Sequence, residues 1–367
     1  MIIDLIPHLF LGSVLGLLGL YFLIYNKVAT YSKDTNDNYF NESVSIIIAS
    51  RNELENLEQN LPILLAQEYS DYEIIIVDDH STDGSGSFVR QLAVSNEHLS
   101  YYSLSGNDKS SKKTALALGI KKAKNEYLLF TDADCTPAGE QWLSGMVNCY
   151  SEKIQIVLGY GPYRKSTGIV NIMARVDTFF IALQYFAFSL MGIPYMGVGR
   201  NLSYRKSLYT KGSGFTDNQD LLSGDDDLFI QANANKTNVA VCMEESSFTY
   251  SITEKSLWNL FLQKRRHTSA GFRYKNFQIV LLGLIQLINA FFYFALFALI
   301  LSGNYTSLML LFTFLKFSSQ WFVLKKCCQR LGEQDLLLFS LIFEMPVIFL
   351  NFLASFSNLV IKNSKWN

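Results

Sequence analysis

Three short stretches carry carboxylates at spacings that chemistry could use. Tyr127-Leu128-Leu129-Phe130 is an apolar run that stops at Thr131-Asp132-Ala133-Asp134, two carboxylates one residue apart. A second apolar run, Tyr72 to Val77, ends at Asp78-Asp79, and Ser223-Gly224-Asp225-Asp226-Asp227-Leu228 is the densest acidic cluster in the chain. Paired carboxylate oxygens suit a hard divalent cation such as Mg²⁺ or Mn²⁺, commonly bound by one or two carboxylates together with a ligand's phosphates. If Asp132 and Asp134 continue a strand, the pleat turns both toward one ion. Each stretch also has a plainer reading. Acids after strands serve as turn formers and helix caps, and three acids at a helix start complement its dipole. Consecutive carboxylates at 78 and 79 repel unless something positive or hydrogen-bonding sits near them.

The elements that must position these residues follow from periodicity. Ser43 to Ser50 and Tyr72 to Val77 are rich in β-branched residues and read as buried strands. Between them Leu54, Leu57, Leu61, Leu64 and Leu65 keep helical spacing, with Asn52 as the expected cap and Pro62 as a blemish. Ser81-Thr82-Asp83-Gly84-Ser85 supplies turn and cap chemistry for a following helix. Leu99 to Leu104 reads as a short strand, Thr114 to Ala123 as a helix, and Ile154 to Gly159 as a further strand. Strands alternating with helices imply an α/β fold with a mostly parallel, doubly wound sheet. Ligands of such sheets bind outside the carboxyl ends of the strands, where the acidic pairs lie.

The chain has 367 residues, 49% of them hydrophobic, and a mean hydropathy of +0.15. The apolar excess is local. Leu9 to Tyr25 is uncharged, and Phe277–Leu301, Tyr305–Leu324 and Leu336–Ile361 follow near the C-terminus, each close to the length a bilayer span needs. Asp4 stands where a signal peptide carries a basic segment, which favours an N-terminal anchor. Lys316, Glu344 and Pro346 make the last two runs weaker spans. Ile172 to Ile193 is apolar too, but Arg175, Asp177 and Gln184 argue against a span. It reads as an amphipathic helix on the membrane surface, or else as a core helix. These runs divide the chain into an N-terminal transmembrane helix over 1–26, a domain over 40–276 with its interfacial helix, and a C-terminal transmembrane bundle over 277–367.

Lys325, Lys326 and Arg330 lie between the last two runs, whereas Ser302 to Thr306 holds no Lys or Arg. The positive-inside rule then places the domain between Lys27 and Asn276 in the cytoplasm, on an integral membrane protein of the cell (inner) membrane. A net charge of −1 and the lack of a basic patch interleaved with aromatics exclude nucleic acid as a partner. Five cysteines make no metal spacing and no disulfide set, which fits a reducing compartment.

Ala49-Ser50-Arg51-Asn52-Glu53, Val77-Asp78-Asp79-His80-Ser81-Thr82-Asp83-Gly84-Ser85, Lys112 to Ile120 and Thr131-Asp132-Ala133-Asp134 occur in an order and spacing that resembles family-2 glycosyltransferases of the GT-A fold. The resemblance covers Val44 to Arg266. It implies a donor-binding set of Ala49, Arg51, Glu53, Asp78, Asp79, Lys112 and Asp132, with Glu53 and the Asp78-Asp79 pair on the uridine of a UDP-sugar. Lys112, or Lys113 in the alternative register, would lie near the diphosphate. Asp132 and Asp134 match the D-x-D motif that holds Mg²⁺ or Mn²⁺, Asp134 as the direct ligand. Gly197-Val198-Gly199-Arg200-Asn201 looks like the acceptor-side loop. The acidic cluster takes the place of the family's T-E-D motif, so the catalytic base is Asp225 or Asp226 according to register.

Gln263-Lys264-Arg265-Arg266-His267 resembles the Q-x-x-R-W motif of membrane-embedded members such as cellulose, hyaluronan and ceramide glucosyl synthases. Gln263 and Arg266 match, and His267 replaces the Trp. With Arg200 they would form a gate to acceptor and diphosphate, whereas a positive-inside flank explains the charges alone. The resemblance thus implies inverting sugar transfer from a nucleotide-sugar to a polysaccharide or glycan acceptor, with a membrane lipid acceptor as the alternative. From another class, a non-catalytic membrane scaffold of the same fold remains open.

Overall fold

The computed structural model describes residues 2–32, 40–212, 214–215 and 224–360. Most of the polar stretch Ser32 to Glu42, Ser223 of the acidic cluster and the last residue of the Leu336–Ile361 run lie outside them. The described residues fall into two compact units, an α/β unit of 40–166 and Gly192–Glu254 and a helical unit of 2–32, Thr167–Met191 and 255–360. Within the domain expected over 40–276, residues 167–191 and 255–276 group with the helical unit.

The α/β unit has nine strands: β1 Val44–Ser50, β2 Tyr72–Asp78, β3 Leu99–Ser103, β4 Tyr127–Phe130, β5 Thr136–Pro137, β6 Ile156–Leu158, β7 Leu202–Arg205, β8 Val239–Val241 and β9 Thr249–Tyr250. Seven form one sheet in the order β3-β2-β1-β4-β7-β6-β8, and β5 pairs with β9. β1 pairs in parallel with β2 from Val44↔Tyr72 to Ser50↔Asp78 and with β4 from Val44↔Tyr127 to Ile47↔Phe130. β7 runs antiparallel to β4 and β6, so the sheet is mixed on that side.

Alternation along the strands sends side chains to two covered faces. Val44, Ile46, Ile48, Ile74 and Ile76 share a core with Leu57, Leu61 and Leu64 of the Leu54–Leu65 helix and with Trp142 and Met146. Ile47 and Val77 face the opposite helix, Lys112–Lys122, at Gly119. A Cβ on Gly119 would stand 2.6 Å from Ile47 Cγ2, so only glycine lets this helix settle on the sheet. The cap expected at Asn52 is corrected. Asn52 sits in the left-handed region at φ 54, and its Oδ1 accepts from Thr82 N at 2.8 Å. The open Leu54 N–H donates instead to Asp83 Oδ2 at 2.9 Å, a cap supplied from the loop after β2.

Five helices of the helical unit are long and apolar enough to cross a membrane: Leu5–Ala29, Ile169–Leu190, Asn276–Leu301, Ser307–Arg330 and Leu336–Val360. Four meet the apolar runs of the sequence. The fifth differs from the surface helix expected there: it buries fourteen of its 22 residues, Arg175 and Asp177 among them. Its charges are neutralised by partners. Arg175 Nη2 pairs with Asp335 Oδ1 at 2.8 Å and also with Glu333, and Asp177 Oδ2 pairs with Lys264 Nζ at 2.5 Å. The burial of this helix fits the core helix over the surface helix, and its length and composition also admit the span that Arg175, Asp177 and Gln184 argue against. Lys316 Nζ donates to Glu344 Oε2 and Gln320 Oε1, both at 2.7 Å, while Tyr21 and Tyr293 hydroxyls also donate to Glu344.

Candidate active site

β1, β2 and β4 run parallel, so the segments that follow them emerge on one edge of the sheet. β4 ends at Phe130, and Asp132 and Asp134 therefore do not stand on its pleat. A turn closed by Cys135 N donating to Asp132 O at 3.1 Å brings donor atoms of Asp132, Asp134 and Cys135 within 4.8 Å of one another. Asn60, buried on the Leu54–Leu65 helix, holds this turn: its Nδ2 donates to Ala133 O at 2.9 Å, and its Oδ1 accepts from Thr136 Oγ1 at 2.5 Å.

Lys112 opens the Lys112–Lys122 helix, whose cap Ser111 Oγ accepts from Thr114 N at 3.1 Å. Its Nζ donates to Asp132 Oδ1 at 2.5 Å. Desolvation pulls the ammonium down, but the carboxylates of Asp132, Asp225 and Asp226 outweigh it and hold its pKa above the ordinary lysine value. Between the two sequence registers, it is Lys112 that meets the acidic motif. Lys113 is buried on the same helix.

Gly224, at φ 85, turns the chain into the Asp225–Asn233 helix. Asp226 Oδ2 accepts from Gly199 N at 2.7 Å and its Oδ1 from Asp227 N at 2.9 Å. A Cβ on Gly199 would lie 3.1 Å from that carboxylate, so the glycine permits the approach. Burial first, and then the charge of Asp225, push Asp226 up to about 6 against the pull of Lys112 and the two backbone donors. The neighbouring Arg200 donates Nε to Gly161 O at 2.9 Å and lies over the Tyr163 ring.

The Asp78-Asp79 pair divides its work. Asp79 is fully buried and spent on the protein: its Oδ1 faces His80 Nδ1 at 2.9 Å, and its Oδ2 accepts from Ser110 Oγ at 3.0 Å. Arg51 Nη1 donates in turn to Ser110 Oγ at 2.8 Å. His80 Nε2 faces Ser105 O at 3.1 Å, so both ring nitrogens meet acceptors, and the bond to Asp79 raises its pKa. Asp78 accepts at Oδ2 from Tyr101 Oη and Ser81 N, both at 3.3 Å, while its buried Oδ1 has no hydrogen-bond partner among the described residues. Ser50 Oγ and Thr131 Oγ1 share that condition. Three unsatisfied polar atoms at the ends of β1, β2 and β4 are what a hydrogen-bonding ligand would satisfy.

Glu53 accepts from Asn56 Nδ2 at 2.5 Å, and desolvation raises it against that bond, with Asp134 and Asp132 adding to the rise. Ala49 is half-buried in β1 beside Val77. Gln263, Arg266 and His267 belong to the helical unit, on its Leu257–Gly271 helix.

The donor set at the turn fits a hard divalent cation. Asp132 and Asp134 offer carboxylate oxygens, and desolvation and then the neighbouring Asp132 raise the Asp134 pKa, a repulsion that a cation relieves. Cys135 fits it poorly. Its buried thiol is pushed up by burial and then by Asp134, and it donates to Asp134 Oδ1 at 3.3 Å. The cysteines show no spacing among themselves, and Cys135 joins the cluster only as the neighbour of Asp134. The scaffolding groups Ser110, Tyr101 and Asn60 carry no motif signal, and His80 lies inside the Val77 to Ser85 motif with no role assigned to it there.

The mixed sheet with acids and a lysine gathered at its carboxyl edge has the GT-A fold. Residues 45–210 match the family described as Glycosyl transferase family 2. It is 34% identical over 110 residues to the glycosyltransferase AglE of Haloferax volcanii, covering 29% of this chain and 35% of that protein. It is 29% identical over 169 residues to the 4,4'-diaponeurosporenoate glycosyltransferase of Staphylococcus haemolyticus, covering 43% and 44%. The chain thus spans less than half the length of these curated relatives. A mannosyltransferase of Pyrobaculum calidifontis, solved with GDP-Man and Mn²⁺, shares the fold at a TM-score of 0.59 and 18% identity, covering 94% of this chain and 99% of that one.

Proposed function

We propose that the protein is an inverting glycosyltransferase that moves a sugar from a nucleotide-diphosphate donor to a glycan or polysaccharide acceptor at the cytoplasmic face of the cell membrane. The observation that carries this is that Lys112 pairs with Asp132 and feels the charges of Asp225 and Asp226, acids from two separate segments. Asp78 Oδ1, Ser50 Oγ and Glu53 take the nucleoside, and Lys112 lies along the diphosphate. Asp132 and Asp134 hold Mg²⁺ or Mn²⁺, which when bound neutralises developing charge on the leaving diphosphate.

Asp226 acts as the general base. With a pKa near 6 it is deprotonated at neutral pH yet basic enough to accept a proton. As the acceptor oxygen attacks the anomeric carbon, its proton passes to an Asp226 oxygen and the bond from carbon to diphosphate oxygen breaks with inversion. Such base assistance contributes about 10²–10⁴ in rate. Gln263, Arg266 and His267 serve as the acceptor and diphosphate gate, with Arg200 beside the acceptor. Five apolar helices in the same chain, and the name of the Staphylococcus haemolyticus relative, favour a membrane lipid acceptor as the second reading.

The test is release of nucleoside diphosphate by purified full-length protein in nanodiscs, across UDP- and GDP-sugars with Mn²⁺ and with oligosaccharide or lipid acceptors. Turnover of one donor class, lost in Asp226→Asn, is expected. No release with any donor would leave a scaffold that keeps the fold.

A further inference from the structure

We infer that Asp177 and Lys264 are positioning residues for the Gln263, Arg266 and His267 segment, setting the rotation of the helix that bears it. The inference rests on the gate reading of that segment. At 100° per residue, Gln263, Arg266 and His267 share an arc about 100° wide on the Leu257–Gly271 helix. Leu260, Lys264 and Thr268 form the adjoining arc. That second arc is tied to two neighbouring helices.

Lys264, 5% exposed, donates Nζ to Asp177 Oδ2 at 2.5 Å. Asp177, 3% exposed, also accepts at Oδ1 from Asn351 Nδ2 at 2.9 Å. Asn358 Nδ2 donates to Arg265 O at 2.8 Å and to Thr268 Oγ1 at 3.0 Å. Asp177 is itself a fixed acceptor, because two residues earlier Arg175 is clamped by Asp335 and Glu333. Two helices, Ile169–Leu190 and Leu336–Val360, therefore grip one side of the Gln263-bearing helix.

A rotating helix needs little slack to misplace its side chains. With tips about 5–6 Å from the axis, a 20° turn moves them by about 2 Å, and a displacement of about 1 Å at a reacting centre can cost 10²-fold in rate. An ion pair aimed across the helix resists that turn where apolar contacts, which have no direction, do not. Arg175 and Asp177, which argue in the sequence against a span, thus have a use: one anchors the helix and the other orients its neighbour.

The experiment compares Asp177→Asn, Lys264→Met, Lys264→Arg and the neutral pair Asp177→Asn/Lys264→Met in the full chain, reading kcat, affinity for UDP and GDP with Mn²⁺, and Tm. Lys264→Met and the neutral pair should lose about tenfold or more in kcat with nucleotide affinity within about twofold, and Lys264→Arg should keep most of it. The neutral pair leaves no buried charge unpaired, so it folds even where a single variant does not. Wild-type kcat in the neutral pair, with only Tm lowered, overturns the positioning role. Gln263→Ala is the control for the underlying reading: wild-type kcat there overturns the gate itself, whereas a loss there with none in the neutral pair overturns the positioning alone.

Discussion

Lys112 Nζ donates to Asp132 Oδ1 at 2.5 Å, so the cation of one helix start sits on the first carboxylate of the D-x-D turn. The same ammonium lowers the pKa of Asp226. Replacing it with methionine removes a charge on which, in the proposed mechanism, both the diphosphate and the base depend. Lys112→Met should weaken UDP or GDP binding and shift the acid limb of kcat/KM to higher pH. Titration of nucleotide binding and a pH–rate profile check both, and an unmoved limb would separate Lys112 from the base.

As the proposed base, Asp226, at about 6, sets where that limb should fall in the wild type. The carboxylate is the active form, so kcat/KM should decline about tenfold per pH unit below about 6. The stability sign is opposite to that of a salt-bridged acid. A folded pKa above the unfolded value means the folded state binds the proton more tightly, so this group costs stability as pH rises from about 4 through about 6. Asp226→Asn should therefore raise Tm at pH 7.5, with a gain that shrinks toward pH 4, while turnover falls by at least about 10².

Asp134 repels Asp132 and stands beside the sole thiol of the turn. Asp134→Asn should abolish turnover and remove the Mn²⁺- or Mg²⁺-dependent part of nucleotide binding, while nucleotide binding in chelator stays at the wild-type level. Calorimetry with and without metal reads the difference. Full activity in chelator would remove the cation from the reaction.

Arg266 tests the gate directly. A planar guanidinium binds phosphate or carboxylate through two donors, and an ammonium does not reproduce that fork. Arg266→Lys should lower kcat by about tenfold or more if the residue contacts diphosphate. A flanking charge tolerates the exchange, so unchanged kcat and membrane insertion would assign the segment to anchoring.

In the helical unit, Lys316 is fully buried and Glu344 is 4% exposed. Glu344→Leu leaves an uncompensated ammonium and should cost about 3–5 kcal/mol. The double variant Lys316→Met/Glu344→Leu should unfold close to wild type, because no charge is then left alone. Unfolding in detergent with denaturant distinguishes the two.

Much of the donor edge was legible in the chain. Isoleucine and valine runs ending in acids locate β1, β2 and β4, because a strand buried on both faces must be apolar throughout and its first polar residues mark the edge. The order of the motifs also places Lys112 before the D-x-D turn. The N- and C-terminal apolar helices were equally plain, since bilayer length and composition leave few alternatives.

What tertiary structure alone decided is how residues that are equivalent in sequence are held. Asp78 and Asp79 are identical in sequence terms, yet Ser110 and His80 occupy one and leave an oxygen of the other open. Asp225 and Asp226 differ because Gly199 N, from a loop 27 residues away, reaches only the second. Asn52 lost its cap to Asp83 for the same reason. Arg175 and Asp177 spoke against burial until Glu333, Asp335, Lys264 and Asn351 were seen to meet them. Periodicity reports only the average polarity of a face, whereas the cost of burying a charge depends on the one partner that reaches it, and that partner comes from a distant part of the chain.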